Sequence, residues 1–431
     1  MSRRSPPDGD RRDLLLSLFQ TAVRSVQAST LLPPFLPKDT TRRYAVIAIG
    51  KAAAEMAKVA CERLGDNLFG MVAAPRGYDI PGYAFPPSFT YFTAGHPTPT
   101  ASSLEAGQAA LEICNSLQEG DHLLALISGG GSALMTAPAE GLSLADKQGV
   151  NRSLLMSGAA ISEMNCVRKH LSRVKGGRLA IAAAPAKVTT LILSDIPGDD
   201  PSLVASGPTV EDETSLEDVR AIIAKYDLRL APHVTAALHD PANETPRWTQ
   251  RDRERCALSI IGAARTALDA AAAEATAAGL KVIDLGDEIE GEAREIAKAH
   301  AVLAQALSPT DATVILSGGE TTVTVVNPAG KGGRNLEYLL SLALALDGAP
   351  NIWAIACDTD GIDGTEDAAG ACVTPDTLIR AAKLGLDARG MLNTNNAYSF
   401  FEALGDLVVP GPTRTNVNDF RAILVEPSPA T

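Results

Sequence analysis

The stretch YAVIAIGKAAAEMA, residues 44–57, sets out the plan of the fold. A short run of mostly apolar residues comes first, a glycine follows at position 50, and an alanine-rich helical pattern completes the stretch. Short, continuous apolar runs are typical of strands that are buried on both faces of a parallel sheet. The stretch therefore predicts a strand, a tight turn and a helix of an α/β fold.

The alternation of apolar runs and helical patterns continues along the chain, which favours a Rossmann-like parallel sheet in an N-terminal domain and a second α/β domain. Pro and charged residues crowd 230–255, so we expect domains at 12–240 and 256–425. The predicted strands are 44–49, 123–127, 188–193, 258–261, 281–285, 313–316 and 352–356. The predicted helices are 52–64, 102–117, 266–278, 292–306 and 336–346.

Composition excludes several classes of function. The chain has 431 residues and a formal net charge of −13, which disfavours a general nucleic-acid binder but allows local cations to hold a small anion. No apolar run is long enough to span a bilayer. The six cysteines and six histidines are scattered without metal-binding spacing, which favours reduced thiols in a cytoplasmic protein.

A glycine-rich segment, ISGGGSAL, follows the strand predicted at 123–127. The N–H groups of such a loop can form an anion-binding nest, although a tight turn without a ligand is the alternative. A second run, LSGGETTV, occurs in a similar position after 313–316, but neither run has the spacing of a P-loop or a GxGxxG fingerprint. The predicted binding residues in these runs are Ser128, Gly129, Gly130, Gly131, Ser132, Ser317, Gly318, Gly319 and Glu320.

Basic residues stand beside predicted strand ends and glycine turns. Lys51 follows Gly50 directly, Lys175 lies in the basic segment 168–180, and Arg334 and Asn335 follow a glycine pair at a helix start. A cation at such a place can bind a phosphate or a carboxylate. The alternative for each is a solvated side chain at a helix end.

Acidic residues follow two further predicted strands. SDIPGDD contains Asp195 and Asp199, and CDTDGIDG contains Asp358, Asp360 and Asp363. Carboxylates at strand ends can hold Mg²⁺ or accept a proton from a hydroxyl, and Asx turns are the alternative. We predict metal ligation by Asp199, Asp358, Asp360 and Asp363. Anion nests, cations and metal-competent acids together are what phosphoryl transfer requires.

The motifs ISGGGSAL, NCVRKHLSRVKGGRLA, LSDIPGDDPSLVASGPT, LSGGETTV, GKGGRNLE, DTDGIDG and GPTRTNVND resemble the class II glycerate 2-kinases, in the same order and over about residues 14–425. The resemblance implies an N-terminal α/β domain and a C-terminal part containing a MOFRL domain, at about 310–425, with a cleft between the domains. It also implies ATP-dependent phosphorylation of D-glycerate at the C2 hydroxyl, with Mg²⁺.

The family's functional lysine and arginine match Lys51 and Arg334. Asp195 is the third predicted catalytic residue, and the sequence leaves open which aspartate is the base and which ones hold Mg²⁺. The partner expected is a small-molecule substrate, with no nucleic acid and no membrane. The oligomeric state stays open, with a homodimer as one alternative. Two other functions are weighed: an NAD(P)H-dependent hydroxypyruvate reductase, and a non-catalytic sensor of a sugar acid or nucleotide.

Overall fold

The computed structural model describes residues 8–307 and 309–427. The chain divides into two compact units. The parallel-sheet unit is Gln27–Ile261, and the mixed-sheet unit comprises the described residues of Met1–Val26 and Gly262–Thr431. The α/β fold class with two domains, predicted from the sequence, is confirmed.

The mixed-sheet unit contains the first helix of the chain. α1 (Asp8–Ser25) buries Leu15, Leu18 and Phe19, and the Phe19 ring lies 6.0 Å from that of Phe420. Residues 12–26, which the sequence placed in the N-terminal domain, therefore pack with the mixed-sheet unit. The apolar face of α1 explains this grouping, because that face is buried in the unit formed by the C-terminal part of the chain.

The parallel-sheet unit is built on a six-stranded sheet with the order β3-β2-β1-β4-β5-β6. All six residues of β1 are buried, as expected for a central strand that is covered on both faces. The strands from β3 to β5 pair in parallel. The strands are β1 (Tyr44–Ile49), β2 (Leu68–Pro75), β3 (Phe89–Ala94), β4 (His122–Ser128), β5 (Lys187–Leu193) and β6 (Cys256–Gly262).

Helices connect these strands, and their apolar faces pack on the sheet or on each other. They are α2 (Ala28–Leu31), α3 (Ala53–Leu64), α4 (Ala101–Asn115), α5 (Gly131–Leu134), α6 (Leu144–Ser157), α7 (Ile161–His170), α8 (Arg178–Ala182), α9 (Leu216–Lys225), α10 (Pro232–Ala237) and α11 (Gln250–Arg255). No helix in the described residues has both the length and the apolar character needed to cross a bilayer.

The segment 230–255 is part of the parallel-sheet unit, so the expected linker is not the boundary. Arg178 Nη2 donates hydrogen bonds to Asn243 O at 2.8 Å and to Glu244 O at 2.9 Å, and Trp248 is buried. Polar and proline-rich composition predicted a linker, but these contacts hold the segment on the unit. The strand β6 continues the same sheet, although the sequence placed 256 at the start of the second domain.

The second sheet is mixed and has the order β12-β11-β10-β13-β9-β7, with β8 paired to β9. β13 lies antiparallel between β9 and β10, so this sheet does not repeat the parallel plan of the first. The strands are β7 (Lys281–Asp284), β8 (Ile289–Glu292), β9 (Thr313–Thr322), β10 (Ile352–Asp358), β11 (Gly370–Val373), β12 (Leu407–Val408) and β13 (Asp419–Val425). The helices are α12 (Ala264–Ala277), α13 (Ala293–Ala306), α14 (Arg334–Leu346), α15 (Thr377–Lys383), α16 (Ala388–Asn393) and α17 (Ala397–Leu404).

Candidate active site

Lys51 lies where the strand order of the parallel sheet reverses. β1 pairs with β2 on one side and with β4 on the other. The chain extends the sheet from β1 through β2 to β3 in one direction, and through β4 to β5 in the other. Open α/β sheets bind ligands beyond the carboxyl ends of the strands at such a reversal. Lys51 is half-buried at this edge, directly after Gly50.

The loop after β4 holds the Lys51 turn in place. Ser128 is buried, and its hydroxyl accepts a hydrogen bond from Ala52 N at 3.0 Å and donates one to Ile49 O at 3.3 Å. Gly129 O accepts a hydrogen bond from Lys51 N at 2.9 Å. The sequence predicted that Ser128 contacts a ligand, but its hydroxyl joins the end of β4 to the turn after β1.

A glycine is required at position 50 because the chain approaches β4 closely there. Gly50 has φ +118°, and an added Cβ would lie 2.2 Å from Ser128 Oγ and 2.4 Å from Ser128 O. Gly77 is a matched position, with φ +85° and no atom within 4 Å of an added Cβ. Comparing substitutions at the two glycines therefore separates the free-energy cost of backbone strain from the cost of a steric collision.

We predict that Gly50→Ala lowers the free energy of unfolding by about 1–3 kcal/mol more than Gly77→Ala does, because only the first adds an overpacked contact. Both variants lose about 1–2 kcal/mol for a side chain in the left-handed region. Urea denaturation of the two variants measures the difference. Equal losses would show that the backbone near Ser128 moves aside without cost.

Gly130 separates two side chains at the same edge. It has φ +82°, and an added Cβ would lie 3.0 Å from His96 Cδ2 and 3.8 Å from Lys51 Cγ. His96, which follows β3 and is exposed, thus lies near Lys51, and sequence analysis assigned it no role. The run AGHPTPTASS at 94–103 contains this histidine. The sequence did not predict β3, so nothing indicated that the histidine follows a strand of the parallel sheet.

Gly131 and Ser132, the next residues after β4, contact the segment that contains Ala205 and Ser206. A Cβ on Gly131 would lie 2.8 Å from Ala205 Cβ, and Ser132 Oγ lies 2.9 Å from Ser206 Oγ. Lys175 is buried, and its Nζ donates to Ser132 O at 2.9 Å and to Ala205 O at 3.4 Å. The predicted ligand-binding lysine therefore holds the loop in place through its backbone carbonyls.

Asp195 and Asp199 follow β5, which is the parallel neighbour of β4. Asp195 is half-buried two residues after Leu193, so it lies at the same edge of the sheet as the loop after β4. Asp199 lies further along, in a turn, where it has φ +55° and its N–H donates to Ile196 O at 3.0 Å. Lys51 and Asp195 are thus brought to one edge by the strand order.

The second glycine run lies inside a strand and not in the loop that the sequence predicted, and its role in anion binding stays a prediction. Ser317, Gly318 and Gly319 belong to β9. Gly319 has φ +115° and pairs with Ile289 of β8, and an added Cβ would lie 2.3 Å from Ile289 O. The glycine permits the close approach of β8. The apolar pattern ends at Leu316, whereas the pairing of β9 continues through residues without an apolar side chain.

Arg334 lies at the start of α14 among three carboxylates. Its Nε donates to Asp419 Oδ1 at 2.7 Å, its Nη1 to Glu320 Oε1 at 3.0 Å and its Nη2 to Asp358 Oδ2 at 2.9 Å. Burial lowers the pKa of Arg334, but the charges of Asp419, Asp358 and Glu320 outweigh it and raise that pKa well above its ordinary value. Arg334 and Glu320, both predicted to face ligands, therefore form an ion pair with each other.

Asp363 occupies the N-terminus of α14. Its Oδ1 accepts a hydrogen bond from Asn335 N at 3.0 Å, and its Oδ2 accepts one from Leu336 N at 2.8 Å. Asn335 Nδ2 donates to Asp419 Oδ1 at 2.7 Å. Burial raises the pKa of Asp363 to about 7, against the effect of the two backbone hydrogen bonds. A carboxylate of the protein thus takes the place that the sequence assigned to an external anion.

Three of the four residues predicted to bind a metal ion accept hydrogen bonds from backbone N–H groups, and metal binding by the set stays a prediction. Asp358 Oδ1 accepts from Asp360 N at 3.0 Å, and Asp360 Oδ1 accepts from Ile362 N at 2.8 Å, so both form Asx turns. Asp363 caps α14, and Asp199 lies in the turn after β5. Over residues 8–307 and 309–427, no three His, Cys, Asp or Glu side chains are grouped so that they could hold a metal.

A cavity of about 410 Å³ opens beside Arg334 in the mixed-sheet unit. Its volume is in the range of small-molecule pockets. Glycines, apolar side chains and polar side chains all contribute to its wall. The lining residues include Val323, Val325, Gly330, Gly332, Gly333, Arg334 and Asn395.

Comparison with known proteins identifies the family. Residues 14–239 match a domain of unknown function (DUF4147), and residues 313–419 match the MOFRL family. A D-glycerate 2-kinase from Thermotoga maritima is 35% identical over 95% of this chain and 97% of its own length. A protein from Agrobacterium vitis named "Putative hydroxypyruvate reductase" is 47% identical over 97% of this chain and 95% of its own length.

The fold agrees with the same assignment. The crystal structure of a glycerate kinase from Thermotoga maritima superimposes with a TM-score of 0.87 at 34% sequence identity, covering 97% of this chain and all of the other. The resemblance drawn from the sequence motifs is therefore confirmed. The chain therefore belongs to the glycerate kinase family and contains both a DUF4147 domain and a MOFRL domain.

Proposed function

We propose that this enzyme transfers the γ-phosphoryl group of ATP to the C2 hydroxyl of D-glycerate, giving 2-phospho-D-glycerate and ADP. The observation that carries the proposal is the similarity, over nearly the whole chain, to the Thermotoga maritima D-glycerate 2-kinase. The position of Lys51 supports it, because a cation at the reversal point of the sheet suits an anionic substrate.

In the proposed reaction, the C2 oxygen of glycerate attacks the γ-phosphorus of ATP. The bond between that phosphorus and the β–γ bridging oxygen breaks, and ADP leaves with its electron pair. Asp195 accepts the proton of the C2 hydroxyl, and Lys51 stabilises the charge on the transferred phosphoryl oxygens. Both side chains lie at one edge of the parallel sheet and are half-buried.

We assign the triphosphate to the loop Gly129–Ser132 after β4. Ser128 and Lys175 support that loop from within the unit and act on it through hydrogen bonds. For Arg334 we propose a positioning role, because three carboxylates already compensate its charge. Mg²⁺ is expected to enter with the phosphates of ATP, and we assign it no protein ligand.

The second candidate function is NAD(P)H-dependent reduction of hydroxypyruvate, which the name of the Agrobacterium vitis relative favours. A dinucleotide-binding Rossmann sheet carries GxGxxG in the turn after its first strand. Here that turn contains Gly50, Lys51 and Ala52, followed by further alanines. We therefore rank the kinase above the reductase.

Phosphorus NMR of the product separates these functions and fixes the position of transfer. With ATP, Mg²⁺ and D-glycerate, we expect a phosphomonoester signal split into a doublet by the single C2 proton. Transfer to C3 would give a triplet, because two protons lie three bonds from that phosphorus. Oxidation of NADH by hydroxypyruvate, with no phosphoglycerate formed from ATP, would contradict the kinase proposal.

We also propose a cytoplasmic location. All six cysteines are free, and four of them are buried, as expected for a protein of a reducing compartment. The homodimer remains a prediction, and the molar mass of the purified protein from sedimentation equilibrium tests it.

A further inference from the structure

Arg168 is a cation of the parallel-sheet unit whose charge no acidic side chain of the described chain compensates. It lies on α7 and is half-buried. Two lysines nearby in the sequence have partners of their own. Lys169 Nζ lies 3.1 Å from Asp212 Oδ1, and Lys175 Nζ donates to Ser132 O at 2.9 Å. Burial lowers the pKa of Arg168 below its ordinary value, and no carboxylate among the described residues opposes that effect.

One side of the Arg168 guanidinium is held by the protein, and the other side is available to a ligand. Its Nε donates to Asn151 Oδ1 at 3.0 Å, which joins α7 to α6. Neither Nη1 nor Nη2 forms a hydrogen bond with a residue of 8–307 or 309–427. A guanidinium held through Nε presents its two terminal nitrogens as a planar pair, which matches the two oxygens of a carboxylate. The hydrogen bond to Asn151 therefore orients a group that is suited to bind a carboxylate.

Arg168 lines a cavity of about 270 Å³. The wall of this cavity also contains Gln148, Asn151 and Arg152 of α6 and the segment 97–99. Gln148 Nε2 donates to Pro99 O at 2.8 Å, which holds that segment against α6. Among the lining residues that the structure describes, none is acidic. Pockets for drug-sized ligands measure about 300–1,000 Å³, so this cavity suits a small acid better than a whole nucleotide.

The segment 97–99 connects this cavity to the edge of the parallel sheet where Lys51 lies. The segment directly follows His96. An added Cβ on Gly130 would lie 3.0 Å from His96 Cδ2 and 3.8 Å from Lys51 Cγ, so these three residues meet at that edge. The cavity therefore adjoins the carboxyl ends of the strands.

α7 is also connected to the loop after β4, to which the triphosphate is assigned. Ser132 Oγ of this loop lies 2.9 Å from Ser206 Oγ, and Ser206 Oγ donates to Asn165 Oδ1 at 2.8 Å. Asn165 is buried on α7, three residues before Arg168. Side chains three residues apart on a helix lie on one face, with their Cβ atoms about 5–6 Å apart. Arg168 therefore lies one helical turn from a residue that is linked to this loop through Ser206.

We propose that Arg168 binds the carboxylate of D-glycerate and thereby selects acids over neutral polyols. The inference rests on the proposed function, which leaves that carboxylate without a partner. Lys51 acts there on the transferred phosphoryl group, and three carboxylates compensate the charge of Arg334. The carboxylate of glycerate is attached to C2, the carbon that bears the reacting hydroxyl. A fixed carboxylate therefore orients that hydroxyl toward the phosphate in the adjoining loop.

Steady-state kinetics of the full-length enzyme test the proposal. We expect Arg168→Met to raise KM for D-glycerate by about 100-fold, as is typical when one member of a hydrogen-bonded charge pair is removed. KM for ATP should stay at the wild-type value, because the carboxylate belongs to the other substrate. Arg168→Lys should recover part of the loss, since it keeps the charge but not the planar pair of donors.

Arg63→Met is the matched control. Arg63 is exposed in the last turn of α3, the helix that runs from the Lys51 turn to the amino ends of the strands. This variant should keep both KM values of the wild type. The melting temperature of Arg168→Met should stay unchanged or rise, because the substitution removes a half-buried charge that has no acidic partner in the described chain.

A wild-type KM for D-glycerate in Arg168→Met overturns the proposal, as does an equal rise in both KM values, which would indicate a general loss of site structure. Isothermal titration of D-glycerate without ATP separates this inference from the proposed function. If the wild type binds D-glycerate through Arg168 but forms no phosphoglycerate from ATP, the proposed function is refuted and the carboxylate site stands. If phosphoglycerate forms and Arg168→Met keeps the wild-type KM, the proposed function stands and the carboxylate site is refuted.

Discussion

Replacing Lys51 by methionine is expected to lower kcat/KM for ATP-dependent phosphorylation of D-glycerate by about 10²–10³-fold, the usual effect of removing one group that stabilises charge in a transition state. The reason is its position. Lys51 follows β1 at the reversal point of the sheet, and its backbone N–H is fixed by Gly129 O at 2.9 Å. The backbone contact survives the substitution, so the variant loses the charge and keeps the turn. Coupled detection of ADP release measures the effect.

Lys187→Met provides the comparison for Lys51→Met. Both substitutions remove a lysine charge from the parallel-sheet unit, but Lys187 begins β5 at the amino ends of the strands. We expect Lys187→Met to retain wild-type kcat/KM, and both variants to keep the wild-type melting temperature. Turnover of Lys51→Met within a factor of about two of wild type, an energy difference well below one hydrogen bond, would remove Lys51 from the mechanism.

The strands that carry the candidate site were predictable because they are buried on both faces. The strand predicted at 44–49 is β1 without any shift in its bounds, and all of its residues are buried. β2 and β3 were missed. β2 is interrupted by Gly70 and ends at Pro75, and β3 is the partly exposed edge strand of the sheet. Weak apolar patterning is the physical consequence of an edge position.

Side-chain environment was less predictable than strand order. Lys51 and Asp195 are at the expected edge because parallel neighbours end together. In contrast, the four carboxylates around Arg334 and Asn335 come from strands and a loop that are far apart in sequence, so their pairing depends on the antiparallel insertion of β13.

Removing the charge of Arg334 is expected to destabilise the mixed-sheet unit by about 3–5 kcal/mol, the usual cost of leaving buried charges without their partner. The Asp419 side chain is fully buried and the Asp358 side chain is 6% exposed, so water cannot replace the guanidinium. Arg421 also forms an ion pair with Asp419, whereas Asp358 and Glu320 each form an ion pair with Arg334. Loss of activity in an Arg334 variant therefore cannot be assigned to catalysis until its folding has been measured.

Tryptophan fluorescence during urea denaturation measures this effect within one unit. The chain has two tryptophans, Trp248 in the parallel-sheet unit and Trp353 in β10. In a Trp248→Phe background, Trp353 alone reports the unfolding of the mixed-sheet unit. We expect Arg334→Met to unfold at much lower urea than its parent, and Arg389→Met, which changes an exposed arginine of α16, to leave the transition in place. A buried acid that has lost its cation must be protonated or solvated, and either change costs free energy. Unfolding of Arg334→Met at the same urea concentration as its parent would therefore show that the three carboxylates do not depend on Arg334.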